Sequence, residues 1–184
     1  LGGNVTVDDQ GTNEITFTGA VVLAANVVID VDGAAVTDNS LRFSGTGSTV
    51  NADAATNDRQ LTIVAGAGNV RFEGDVGGSQ ALALFRVDSA ASLVLNDVTV
   101  AGTTAADTIN LGAIAALGGL TLQGNLRTDG GTDAGNLRIH ATGPVRLDAA
   151  GGAGSIRLDT DAGGADGNVV FVAGSNLVSL TPFE

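Results

Sequence analysis

The chain has no cysteine, methionine, tryptophan or tyrosine, and all 8 of its basic residues are arginine. Disulfides, thiolate nucleophiles, Cys-x-x-Cys metal sites and Schiff-base lysines are therefore excluded, as is a lysine-dependent phosphate loop. The single histidine, His140, has no second histidine with which to share a metal. Aromatics make up only 3% of the chain, all of them phenylalanine. A core must then be assembled from Val, Leu, Ile and Ala, which dominate a hydrophobic fraction of 43% and set the chain apart from disordered sequences. The lack of methionine is expected of a segment whose preceding sequence has been removed or left out, so localisation signals are not readable.

Positive charge is also scarce. Twenty acidic residues against 8 arginines give a net charge of -12 in 184 residues, which repels nucleic acid and anionic lipid over most of the surface. No nucleic-acid partner is expected. No uncharged apolar run approaches the roughly 18 residues a membrane helix needs, so no membrane insertion is expected either, and the chain reads as soluble.

Helices fit poorly, because 28 glycines interrupt the sequence and each costs a helix interior about 1 kcal/mol relative to alanine. The Gly-free stretch from Ser79 to Ala101 alternates with period two, as in Phe85-Arg86-Val87, Leu93-Val94-Leu95 and Val98-Thr99-Val100. The same triplet recurs as Ile15-Thr16-Phe17, Leu41-Arg42-Phe43, Leu61-Thr62-Ile63, Val70-Arg71-Phe72, Leu120-Thr121-Leu122, Leu137-Arg138-Ile139, Val145-Arg146-Leu147 and Ile156-Arg157-Leu158. Strand side chains alternate faces, so the flanking aliphatics share the core side and the central residue points outward. Arg42, Arg71, Arg86, Arg138, Arg146 and Arg157 thus belong to a solvated face, near carboxylates of adjacent coils; a ligand-binding arginine row is the other reading of that face.

Internal repetition is the strongest signal. Leu1-Gly2-Gly3-Asn4-Val5 returns as Leu122-Gln123-Gly124-Asn125-Leu126, and residues 1–45 match residues 122–174 with a short insertion. Gly-Asn opens a strand at Gly3, Gly68, Gly124, Gly135 and Gly167. Both residues tolerate positive φ, which suits a sharp corner, and stacked asparagines can hydrogen-bond along a ladder. Short strands with recurring corners predict an all-β solenoid over residues 1–184, with coils of about 18–26 residues and roughly seven to nine rungs.

The alternation of Ile15-Thr16-Phe17-Thr18-Gly19 with Asn26-Val27-Val28-Ile29-Asp30-Val31-Asp32-Gly33, the run from Gly68 to Gly78, and Leu93-Val94-Leu95-Asn96-Asp97-Val98 resemble the repeat regions of very large secreted bacterial proteins. The similarity is to filamentous-haemagglutinin-type adhesins, including two-partner-secretion exoproteins, and it extends over essentially the whole chain. The resemblance implies a right-handed parallel β-helix, export to the bacterial cell surface, and a role as a stalk or adhesive fibre. The Asn-Pro-Asn-Gly-type element of that family's secretion domain is absent, so the resemblance is to the shaft. Partners expected on this reading are neighbouring repeats or subunits stacked end to end, and cell-surface glycans or proteins.

Three chemical readings remain. Asp30-Val31-Asp32-Gly33 matches Asp159-Thr160-Asp161 in the internal repeat, and Asp166 follows; alternate aspartates in a Gly-rich turn form the oxygen-rich ligand set that calcium prefers. The competing reading is a turn whose carboxylates accept local backbone N–H groups. A carbohydrate-binding or polysaccharide-cleaving β-helix would instead use outward carboxylates such as Glu73 and Asp75 near Asp97, with Arg71 or Arg86. Against catalysis, no Tyr or Trp is present to stack on sugar rings, and His140 aligns with the outward Thr18. No enzymatic activity is expected. The least regular stretches, Asn51 to Arg59 and Gly102 to Gly119, are candidates for a protruding loop or short helix that binds a partner, or for long corners.

Overall fold

The computed structural model describes residues 1–7, 12–33, 38–54, 59–102, 106–149 and 154–179. Among these the only regular elements are β-strands, numbered here along the chain, and no helix is long and apolar enough to cross a membrane. A first sheet contains β1 (Val5–Thr6), β4 (Val27–Asp30), β7 (Gln60–Val64), β9 (Leu84–Ser89), β12 (Asp107–Leu111), β15 (Asn136–Ile139) and β18 (Val169–Phe171), in that spatial order. The second contains β2 (Glu14–Thr18), β5 (Ser40–Ser44), β8 (Asn69–Phe72), β10 (Ser92–Leu95), β13 (Leu120–Leu122), β16 (Pro144–Leu147) and β19 (Asn176–Ser179). A third, thinner set joins β3 (Val21–Leu23) to β6 (Val50–Ala52), continues through single bridges at Val76, and ends in β11 (Val98–Thr99), β14 (Leu126–Arg127) and β17 (Leu158–Asp159). Every strand pairing is parallel.

The chain visits the three sheets in one cyclic order, and each strand pairs with the strand one circuit later. Some circuits fall within the expected coils of about 18–26 residues and others exceed them. The step is 22 residues from Val76 to Val98 but 34 from Val27 to Leu61, the extra length lying in the connections between strands. The predicted triplets set the register. Leu61, Phe85, Ile109 and Leu137 are successive partners in the first sheet, as are Leu41, Val70, Leu93, Leu120 and Val145 in the second, and all of these are buried. Each such aliphatic or aromatic side chain contributes about 1.5–3 kcal/mol by leaving water. Phe17, Phe43 and Phe72 stack with centroids 4.9 and 4.4 Å apart, and Phe85 of the first sheet meets Phe72 edge-on at 5.5 Å.

Two expectations are corrected. The glycines of the Gly-Asn pairs do not adopt positive φ; that conformation occurs at Gly19, Gly45, Gly66, Gly77, Gly112 and Gly174. Gly68 and Gly167 are required for close approach instead, since a Cβ there would lie 2.0 Å from the carbonyl oxygen of Asn39 and of Gly135 respectively. The asparagines do bond across successive circuits: Asn4, Asn125 and Asn136 accept the N–H groups of Val28, Arg157 and Asn168 at 2.8–2.9 Å. Second, the stretch from Gly102 to Gly119 is not one irregular loop, because β12 occupies Asp107–Leu111. In the other irregular stretch Asn51 belongs to β6, and its Oδ1 accepts from Ser79 and Gln80. Residues 55–58 and 103–105 of these stretches lie outside the described residues.

Candidate functional site

The second sheet presents an outward row in which Arg42 and Arg71 are direct register partners. Two guanidinium groups on adjacent strands repel, and the chain answers with Glu73, two residues beyond Arg71 and therefore on the same face. Arg42 donates to Glu73 Oε1 from Nε at 3.0 Å and from Nη2 at 2.6 Å, while Arg71 Nε donates to the same oxygen at 2.9 Å. The other oxygen, Oε2, accepts the Gly45 N–H at 2.6 Å. Gly45 follows β5 with φ +88°, a conformation L side chains rarely adopt, and this corner brings its N–H onto the carboxylate. The N–H of Gly45 first, then the two arginines, hold the Glu73 carboxyl below its ordinary range.

Beyond Glu73 the corner opens into a cleft of about 360 Å³ lined by Gly45, Thr46, Arg71, Glu73, Asn96 and Gln123. Three successive circuits supply its floor, because Glu73, Asn96 and Gln123 each immediately follow a second-sheet strand. Asn96 Nδ2 donates to the Glu73 carbonyl at 2.7 Å, and Gln123 N–H donates to the Leu95 carbonyl at 2.7 Å. A carboxylate with both oxygens engaged and a depressed pKa is an anionic anchor, a poor proton acceptor at neutral pH. The chemistry on offer is recognition through fixed donors and amides.

The outward carboxylates singled out from sequence fall into separate places. Glu73 meets Arg71, whereas Asp75 lies by Asp97 of the next circuit, its carboxyl raised by burial and then by the charge of Asp97. Arg86 sits on the first sheet and pairs with Asp88. His140 ends up half-buried, with its backbone N–H given to the Leu111 carbonyl.

The aspartates considered for calcium occupy different sheets. Asp30 closes β4 in the first sheet, and its Oδ1 accepts the Asp32 N–H at 3.1 Å. Asp159 lies in β17 of the third set and accepts the Asp161 N–H at 3.3 Å. The same local turn thus forms at both matched positions. Asp38 stands beside Asp32, accepting the N–H of Ala67 at 2.6 Å. Asp159 is almost fully buried and engages Arg157 at 3.1 Å and Arg127 at 4.0 Å, while Asp161 and Asp166 are exposed. Among the described residues no group of three or more His, Asp or Glu side chains is arranged to hold a metal.

Comparison with protein-family models, with curated proteins and with solved structures found no match for this chain. Sequence reasoning missed Arg42, Gly45, Thr46, Asn96 and Gln123 as companions of Glu73. One signal was present for the ion pairs: Arg-x-Asp/Glu occurs five times, and among the described residues the pair forms at four of them, Arg71-Phe72-Glu73, Arg86-Val87-Asp88, Arg127-Thr128-Asp129 and Arg157-Leu158-Asp159, but not at Arg146-Leu147-Asp148.

Proposed function

We propose that the chain winds as a right-handed parallel β-solenoid and serves as a structural repeat of a large secreted bacterial surface adhesin or extracellular filament. The observation that carries this reading is the cyclic order of parallel strands, sustained through seven passages of the first and second sheets. At about 4.8 Å per circuit, such a stack extends roughly 30 Å along one direction. Continuous backbone ladders with an aliphatic interior give stiffness without catalytic machinery or a cofactor. Among the described residues the end strands β1, β2, β18 and β19 each have a strand partner on one edge only, and Val169, Phe171 and Leu177 are 38%, 39% and 53% exposed. Such rims favour a further rung or a stacked neighbour.

Electron microscopy of the chain over a concentration series tests the reading. Fibres that lengthen with concentration indicate a filament subunit, and short rods of constant length indicate a shaft segment. Isotropic particles would reject both.

A further inference from the structure

We infer that the cleft beside Glu73 binds a carboxylate-bearing sugar unit of an acidic polysaccharide. The proposal relies on the extracellular reading only for where such a sugar would be met; the recognition chemistry stands on the cleft alone. Arg71 and Asn96 are held by Glu73 yet have hydrogen-bonding capacity to spare. Arg71 uses Nε on Glu73, and among the described residues its terminal nitrogens have no protein acceptor. The Thr46 hydroxyl, Asn96 Oδ1 and the Gln123 side-chain amide line the same space and likewise make no described protein hydrogen bond. A guanidinium tethered at Nε offers its remaining N–H groups in a fixed plane, the geometry that suits a carboxylate.

Charge selects the ligand further. Arg42 also lies 3.7 Å from Glu14, so Arg42 and Arg71 balance Glu14 and Glu73 at this corner, on a chain whose net charge is -12. An anionic group is therefore repelled less at this balanced corner than by the acidic surface around it, and the unshared N–H groups of Arg71 give it a partner. The hydroxyl and the two amides add donors and acceptors of the kind that sugar hydroxyls satisfy. No tryptophan or tyrosine exists to stack on a neutral ring, so affinity has to come from charge and hydrogen bonds. A space of about 360 Å³ is at the small end of ligand sites, consistent with one sugar ring held at the corner while the polymer continues over the surface.

The test is a titration of the ¹⁵N-labelled chain, followed by amide chemical shifts, with sodium glucuronate, sodium acetate and glucose as separate probes. Glucuronate is expected to shift the amides of Gly45, Thr46, Asn96 and Gln123 saturably, with acetate and glucose each at least about tenfold weaker. Arg71→Gln should weaken glucuronate by about tenfold or more, because the bidentate donor is lost. Arg146→Gln, on the same outward row but outside the cleft, should leave binding unchanged. Glu73 keeps Arg42 and Gly45 in the Arg71 variant, and unchanged shifts elsewhere would show that the fold persists. Absence of saturable shifts, equal binding of acetate, or full affinity in Arg71→Gln would each overturn the proposal. None of these outcomes alters particle shape under the microscope, so failure here is distinguishable from failure of the shaft reading.

Discussion

Glu73 and Asp32 are carboxylates driven in opposite directions, and the contrast gives two predictions with opposite sign. The Gly45 N–H and two arginines lower the Glu73 carboxyl in the folded chain. It therefore contributes stability above its unfolded pKa of about 4.3, lost as pH falls through the lower folded value. Glu73→Gln should melt at lower temperature than the parent at pH 7, with the gap closing in strong acid. Asp32 is raised, first by desolvation of its carboxyl, then by Asp38 and Asp30. Its ionisation opposes folding increasingly as pH rises above the unfolded value of about 3.9, and in full above the raised value. Asp32→Asn should therefore melt higher at pH 7, and that advantage should vanish below about pH 3.9, where the unfolded aspartate is protonated too. Thermal melts of both variants at the two pH values decide the matter. The Asp32 turn was legible from its Asp-x-Asp-Gly sequence, because its bonds are local. The Glu73 site was not, since Arg42 lies 31 residues away and only the register makes them neighbours.

At the level of elements, the triplets could be read directly because strand alternation is a local rule: the inward pair at Leu41 and Phe43, and the outward Arg42, need no knowledge of what lies next door. Glycine shows where local reasoning stops. The Gly-Asn pairs look like left-handed corners, yet at Gly68 the constraint is the carbonyl of Asn39, a residue from the preceding circuit. Gly3 carries the same motif in the first circuit, and a Cβ there would meet nothing within 4 Å. Gly68→Ala should accordingly destabilise by at least about 2 kcal/mol, because the packed backbone at Asn39 must move. Gly3→Ala should fall within about 0.5 kcal/mol of the parent. Chemical denaturation of the two variants provides the comparison. Equal effects would show that motif identity, rather than contact with the preceding circuit, sets the requirement.

Across the described part of the molecule, two forces meet at the end strands. Uncovered apolar side chains such as Phe171 and Leu177 favour contact with another copy, while a charge of -12 on each chain opposes it. Repulsion between like-charged chains is long-ranged at low salt and is screened within about 10 Å at 0.1 M; burial of the rim is short-ranged and insensitive to that change. If copies stack through these rims, association should strengthen as sodium chloride rises from about 0.02 to 0.3 M. Phe171→Asp should weaken it at every salt concentration, by removing apolar contact and adding a charge at the junction. Arg146→Gln, on an outward face, should change it little. Sedimentation velocity across the salt series separates these contributions. Side-by-side association through the outer faces would reverse the order of the two variants, because Arg146 would then stand at the contact and Phe171 at its margin.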